Sequence, residues 1–326
     1  MSPSLGSDIP IGNIDAELRQ LWLADEANTR ASLTNFAIYS ERDDSLEDNT
    51  RLIEEITADQ ACRALVIQAD PSCTESSARA WITAHCRIDP RGHKNICSEQ
   101  ISFHLCGPTS DLLRNIVFAH LDSDLPLVLW WQGDLNENFE ERLYSRIDRL
   151  LINSDRWEDP ASSFTALRQA HEDTSGRLSI HDLSWSRSYH FRLAIANLFD
   201  DHAALAHLAE IRDITITHED SVPLAARMLS QWIAGILPDS GIRYHHVQDG
   251  TGANLTGVQF TTGTATFTIV RQSGSRFIKT TIDCPEKSHE TLSPAGPERR
   301  SDLIAGLMAR AGSNSHYLEI LESLEV

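Results

Sequence analysis

The sequence predicts a doubly wound, mostly parallel α/β sheet of Rossmann type with an inserted β-hairpin, followed by a smaller α+β region. Three observations predict it. Short apolar strand-like runs alternate with helical-period segments from Leu33 to Phe199. That rhythm is interrupted once, by two strand-like runs joined through Asp89-Pro90-Arg91-Gly92-His93-Lys94. Beyond Asp213 it gives way to Thr- and Gly-rich alternation. A chain of 326 residues and 36.4 kDa suits two domains or one enlarged α/β domain.

The elements follow in order. Ile11, Ile14, Leu18, Leu21 and Trp22 stand at helical spacing, with Asn13 or Asp15 as caps, so residues 1–28 are read as a lead-in carrying an amphipathic helix. Leu33 to Tyr39 is a strand with both faces buried, a helix covers Leu46 to Thr57, and a strand covers Ala64 to Gln68. The hairpin runs are Ala80 to Ile88 and Ile96 to Leu105. Helices are then expected over Ser110–Leu121, Glu137–Ile147, Ser163–His171 and Ser188–Phe199. Strands are expected between them over Leu127–Trp131, Arg149–Asn153 and Leu178–Leu183. Residues 29–212 form the Rossmann-like domain in this reading, and residues 213–326 the α+β domain. The latter holds a strand over Ile214–Thr217, which could also extend the first sheet, and a helix over Pro223–Leu237. Two or three antiparallel strands from Thr256 to Ile282 and helices over Arg300–Ala311 and Tyr317–Leu324 complete it.

Composition narrows the function. With 28 Lys+Arg against 47 Asp+Glu, the formal charge of −19 repels phosphate backbones and anionic lipid, so neither nucleic acid nor membrane is an expected partner. The longest apolar run, Leu125 to Trp131, is far short of the roughly 18 residues that span a bilayer. Residues 1–10 carry no Lys or Arg and no apolar core, which leads to the expectation of a cytoplasmic protein. Six cysteines with no C-x-x-C pair are expected to be reduced thiols.

The usual cofactor and catalytic signatures are missing. There is no G-x-x-x-x-G-K-[ST], no H-E-x-x-H and no G-x-S-x-G, and Gly250, Gly252 and Gly257 lack the dinucleotide spacing. No cofactor and no metal are expected. The adjacent His245 and His246 would point to opposite faces of a strand and could not share an ion. What stands out instead is three strand ends that run into polar, tryptophan-bearing loops, where doubly wound sheets bind their ligands. They carry Trp131, Asp134, Ser154, Arg156, Trp157, Asp182, Trp185 and Arg187. This mixture of flat apolar faces and charges suits recognition. In the alternative, the tryptophans pack helices onto the sheet while Ser154, Asp155 and Asn136 serve as helix caps.

At these blocks the chain resembles the glucose-6-phosphate dehydrogenase assembly proteins, the OpcA family. The resemblance rests on Leu125 to Trp131, Asp148 to Trp157, Asp182 to Arg187, Phe191-Arg192 and Leu198-Phe199-Asp200, together with Thr29 to Leu33, Cys97 to Ile101 and Gln231-Trp232-Ile233. It extends over roughly residues 11–237. One departure is Ser188-Tyr189-His190-Phe191-Arg192, where family members tend to have Thr-Pro-Trp-Arg. The resemblance implies a non-catalytic factor that promotes the active oligomer of glucose-6-phosphate dehydrogenase, at the entry to the oxidative pentose phosphate pathway and its NADPH supply. Trp131, Trp157, Trp185, Arg156 and Arg187 are then the candidate docking residues. The rival expectation is a sugar-phosphate- or nucleotide-binding enzyme or sensor in the same crevice. In it Asp134 or Asp182 acts as acid or base, and Arg156, Arg187 or Arg192 grips a phosphate.

The hairpin adds one candidate redox pair. If its turn is centred between Arg91 and Gly92, Cys86 faces Cys97, with Cβ atoms about 4.5–5.5 Å apart and close to disulfide reach. A register slip of one residue would separate them and leave two small apolar side chains.

Overall fold

The computed structural model describes residues 5–23, 28–30, 32–43, 45–88, 95–107, 110–237, 241–252, 254–272, 274–297, 299–310, 312 and 314–324. The Asp89–Lys94 turn, Ala31 and the side chains of Leu21, Trp22, Thr29 and Arg30 lie outside what is described. Two compact units emerge. The first comprises Met1–Asn153, Trp157–His181 and Arg299–Ser313; the second comprises Ser154–Arg156, Asp182–Glu298 and Asn314–Val326. Among the described residues no helix is long and apolar enough to cross a membrane.

The first unit begins with β1 (Ser7–Ile9), α1 (Ile14–Leu23) and β2 (Asn28–Arg30). Ile14 and Leu18 are buried, so the opening helix is part of this unit, which corrects its reading as a separate lead-in. Then come β3 (Asn35–Ser40), α2 (Ser45–Thr57), β4 (Arg63–Asp70), β5 (Ser77–Ile88), β6 (Asn95–Cys106), α3 (Ser110–Ala119), β7 (Leu127–Gln132), α4 (Glu141–Tyr144), β8 (Arg149–Ile152), α5 (Pro160–Asp173) and β9 (Ser179–Asp182). All six residues of β3 are buried, as a central strand covered on both faces requires. It pairs in parallel with β4 on one side and β7 on the other; β4 pairs in parallel with β6, and β7 with β8. Counted along the chain from β3 and leaving the hairpin strand β5 aside, six strands lie in the spatial order 3-2-1-4-5-6 of a Rossmann sheet. The expected hairpin is β5 with β6, antiparallel from Ser77↔Cys106 to Ile88↔Asn95. The strands β1 and β2 pair with β5 and β6, respectively.

Two helices differ from expectation for local reasons. The helix expected over Glu137–Ile147 shrinks to the single turn α4, because the side chains of Asn136 and Asn138 bond back to Glu41 and Tyr39 and hold the preceding residues in a turn. Conversely α5 starts three residues early, where the Asp159 carboxylate accepts from the Ser162 amide at 3.1 Å and Pro160 occupies the first helical position.

The second unit contains α6 (Leu183–Arg187), α7 (Tyr189–Phe199), α8 (His202–Ala206), β10 (Asp213–His218), α9 (Pro223–Ile236), β11 (Arg243–Gln248), β12 (Leu255–Thr261), β13 (Thr266–Arg271), β14 (Phe277–Cys284) and β15 (Lys287–Pro294). The chain then returns to the first unit as α10 (Arg300–Met308), where the Arg300 guanidinium lies 5.3 Å from the Trp130 ring centre, and ends in the second as α11 (Ser315–Ser323). The sheet order is β11-β10-β12-β13-β14-β15, so β10 belongs here and not to the first sheet. The boundary expected at residue 213 falls inside this unit. Phe191, Ala194, Ile195 and Leu198 of α7 share one apolar core with Ile214, Ile216, Val258, Phe260 and Phe267, which draws the helix to the second sheet. The strands β11 and β15 escaped the sequence reading because, as largely exposed edges, they carry no apolar alternation.

The hairpin register is the one that the centred turn predicts: Cys86 stands opposite Cys97, their Cα atoms are 4.1 Å apart, and a disulfide joins them. This replaces the expectation of reduced thiols throughout. Cys62, Cys73, Cys106 and Cys284 remain free. Thiol titration of the denatured, unreduced protein should therefore give four reactive groups, rising to six after reduction; six before reduction would remove the bond.

Candidate functional site

In the first unit the topological switch point lies where β3 and β7 diverge to their respective sides, and the turn after the first strand is where a Rossmann sheet binds pyrophosphate through glycines and a helix N-terminus. Here that turn begins Ser40-Glu41-Arg42-Asp43 and contains no glycine. The Glu41 carboxylate accepts from the Tyr39 hydroxyl and from Asn136 Nδ2 at 2.6 Å, with Asn138 Nδ2 at 3.3 Å. Burial above all, then Glu41, holds the Tyr39 phenol well above its ordinary range. Beside this network Asn49 and Gln132 exchange two amide hydrogen bonds of 3.2 and 2.8 Å between α2 and β7. An acidic side chain in this turn disfavours a phosphate, and the cradling backbone glycines are missing. These residues do not fit a dinucleotide.

The tryptophans are core residues, which corrects their reading as docking faces. Trp131, Trp157 and Trp185 are 1%, 7% and 3% exposed. Trp131 packs against Tyr39 and Phe139 and donates its indole N–H to the Asp134 carbonyl at 2.8 Å, while Trp157 meets Phe164 edge-on. Gly133, at φ +93°, allows the sharp exit from β7 that this contact needs. Asp134 in turn accepts from the amides of Glu158 and Asp159 at 3.0 and 3.2 Å, so its carboxylate is committed to holding that loop. Arg192 is 8% exposed, with its guanidinium 3.5 Å from the Trp185 ring centre, a cation–π contact and not a phosphate grip.

In the second unit the structure brings together Ser154, Arg156, Asp182, Trp185, Arg187 and Arg192 of the sequence-predicted residues. Their organiser is a pair of carboxylates. Asp182 is fully buried; its Oδ1 accepts from the amides of Ser154 at 3.2 Å and Ser184 at 2.9 Å, and its Oδ2 from the Tyr317 hydroxyl at 3.2 Å. The Asp155 amide donates to Ser184 Oγ, and the Asp155 carboxylate accepts from the amides of Leu224 and Ala225 at 2.7 and 3.3 Å. Those two amides open α9, whose own N-cap, Val222, offers no side-chain acceptor. Asp155 is thus a helix cap supplied from 69 residues away. Burial raises the carboxyl of Asp155, opposed in part by Ser184 and the Arg187 charge. Burial likewise lifts Asp182 to about 6, against the pull of the donors from Ser154 and Ser184. Arg156 remains exposed and Arg187 half-buried on the outside of this braced segment. Tyr317 and Glu41 had no signal in the sequence, because each is defined by a contact with a distant element.

A separate open groove of about 650 Å3 lies in the second unit between α9, β11 and α11, bordered by Arg227, Trp232, Tyr244, His246, His316 and Glu319. His245 and His246 do point apart, to Asp213 at 3.0 Å and Ser230 at 2.6 Å. Burial first, then His218 and Arg227, lowers the His246 pKa and favours its neutral form.

The buried carboxylates carry a pH signature. Because the folded pKa of Asp182 lies above the unfolded carboxylate value of about 3.9, the folded state holds the extra proton between about pH 4 and 6, and stability falls as pH rises through that window. In urea titrations Asp182→Asn should flatten this dependence, and an unchanged slope would refute it. Asp155→Ala should cost about 0.5–2 kcal/mol at neutral pH through loss of the α9 cap.

Among solved structures the chain is similar to KijD10, a 3-ketoreductase from Actinomadura kijaniata, at 10% identity over 89% of this chain and 90% of that one, with a TM-score of 0.45. It is also similar to the aldose-aldose oxidoreductase of Caulobacter crescentus, at 10% identity over 89% and 94%, with a TM-score of 0.47. At these scores neither likeness bears on activity. No curated protein matches. Two family models do match: the N-terminal domain of the glucose-6-phosphate dehydrogenase subunit family over residues 53–169, and the C-terminal domain of the same family over residues 178–321. Matched in order along most of its length by both domain models, the chain belongs to the OpcA family of glucose-6-phosphate dehydrogenase assembly proteins.

Proposed function

We propose that this protein is a non-catalytic partner of glucose-6-phosphate dehydrogenase that promotes the enzyme's active assembly, and so supports the oxidative pentose phosphate pathway and NADPH supply. The observation that carries the reading is the paired match of both family domains over residues 53–169 and 178–321. The chemistry of the switch point is compatible with it. Glu41, Tyr39, Asn136 and Asn138 satisfy one another there, and the turn that begins at Ser40 carries no glycine. Arg156 and Arg187 are the docking residues in this reading, presented on a segment braced by Asp155 and Asp182. The charge of −19 would speed encounter with a basic patch on the enzyme.

A second reading, in which a sugar phosphate or a similar small anion regulates or is used by the protein, draws on the groove of the second unit. It has the volume of a small-molecule site, and Arg227 and His316 stand beside the aromatic rings of Trp232 and Tyr244. The two readings separate on one set of measurements: dehydrogenase kinetics and sedimentation with and without this protein, and thermal shift of the protein alone against sugar phosphates and nucleotides. Assembly predicts a larger oligomer with higher activity. A ligand-induced shift without any effect on the dehydrogenase, or turnover of a metabolite by the isolated chain, would overturn it. Arg156→Ala and Arg187→Ala should each weaken the complex about 5- to 30-fold, the loss expected of an interface arginine worth roughly 1–2 kcal/mol. The association rate should fall as salt rises, and a rate flat in salt would remove the electrostatic contribution.

A further inference from the structure

The residues on which this inference rests lie in the second unit and take no part in the network around Asp155 and Asp182. His207 follows α8, Cys284 ends β14, and Glu286 sits in the turn between β14 and β15. One imidazole nitrogen of His207, the Cys284 sulfur and a Glu286 carboxylate oxygen all lie within 4.8 Å of one another. His207 and Cys284 are buried, at 8% and 9% exposure, while the Glu286 side chain faces solvent. Nε2 of His207 is 3.0 Å from Glu286, and its Nδ1 is 2.9 Å from the carboxylate of Glu210. Without an ion the ring lies between two carboxylates, Glu210 and then Glu286 raising its pKa. The ammonium of Lys287, next in sequence to Glu286, is paired with Asp201, which offsets its opposition to a cation. The fully buried Phe267, 6.3 Å from the His207 ring centre, walls the inner side.

We propose that His207 Nε2, Cys284 Sγ and the Glu286 carboxylate form a binding site for a zinc-type divalent cation, with Glu210 as the positioning residue that holds the imidazole through Nδ1–H. Nitrogen, thiolate and carboxylate donors from three side chains leave a fourth, tetrahedral position for water on the exposed side. A carboxylate on the far nitrogen is the partner that metal-bound histidines usually have, and it fixes the tautomer that offers Nε2 to the ion. On binding, the Cys284 thiol, which otherwise donates to the Lys287 carbonyl at 3.3 Å, gives up its proton. That proton passes to solvent, and the ion gains a thiolate and the Nε2 lone pair of the neutral imidazole. The bound ion would tie the segment after α8 to the β14–β15 turn. No sequence motif announces the site, because its donors come from two stretches separated by 77 residues, too far apart for the familiar zinc spacings.

Cobalt(II) titration of the full-length, chelator-treated protein tests it. One cobalt per chain should bind with a thiolate-to-cobalt charge-transfer band, with protons released in calorimetry across buffers of different ionisation enthalpy. Cys284→Ser should abolish the band. Glu210→Gln, which leaves every proposed ligand in place, should keep the band and weaken affinity about 10- to 100-fold. The Cys73→Ser/Cys106→Ser double variant controls for the other cysteine cluster, beside Asp70, and should bind as the parent does. Circular dichroism establishes that each variant is folded. Binding without the band, a band that survives Cys284→Ser in a folded protein, or a band lost with Cys73 and Cys106 would each overturn the assignment.

Discussion

A carboxylate removed from water must be met by donors, and in the second unit that requirement fixes how distant pieces of chain come together. Asp182 gathers the amides of residues 154 and 184 and the hydroxyl of residue 317, so three separate stretches share one acceptor. Asp155 adds the opening amides of α9. Each hydrogen bond contributes only about 0.5–1.5 kcal/mol net, yet removing one partner of a buried charge costs several times as much. Asp182 is therefore held less by the summed strength of its bonds than by the cost of leaving its buried charge unmatched. Burial of the charge, which raises both carboxyls, is the destabilising side of the same arrangement.

The same principle explains how a Rossmann sheet can keep its strand order without keeping its usual ligand site. In the first unit the polar groups at the diverging strand ends are consumed by one another: Glu41 by Tyr39, Asn136 and Asn138, and Asn49 by Gln132. A fully paired network is rigid and has no strong incentive to exchange its partners for a ligand's. Fold and function are separable in this way because the sheet is specified by buried apolar strands such as β3, whereas ligand chemistry is specified by the few groups at their ends.

That separation also marks what was legible in the sequence. The strands β3, β4, β7 and β8 were readable because strands buried on both faces produce continuous apolar runs; the hairpin register, with Cys86 opposite Cys97, followed only on the assumption of a centred turn, since one residue of slip would have separated the pair. Edge strands β11 and β15 have no such pattern, since most of their side chains face water. Helix α7 is amphipathic on either assignment, and only its packing on Ile214 and Phe260 decides which sheet it serves. At the candidate site, residue type identified Asp182 and Arg192 as unusual, but it could not tell a buried structural role from an exposed one. The acceptor of the α9 amides, at residue 155, and the donor at residue 317 are set by tertiary contacts that no local window contains.

These placements change the kind of recognition that an assembly role would use. Aromatic anchors dominate many interfaces because they exclude water around a well-packed contact. Trp131, Trp157 and Trp185 are already spent on their own cores, leaving exposed Arg156 and half-buried Arg187 as the surface groups of the nominated set. A guanidinium held on a rigid, internally capped segment loses less rotational freedom on binding than one on a loose loop, which favours geometry-specific pairing with a carboxylate. The remaining acidic surface then acts at longer range, where charge governs how often the partners meet more than how long they stay. Affinity and encounter rate would thus reside in different groups, the arginines beside the Asp155–Asp182 brace and the net negative charge of the whole chain.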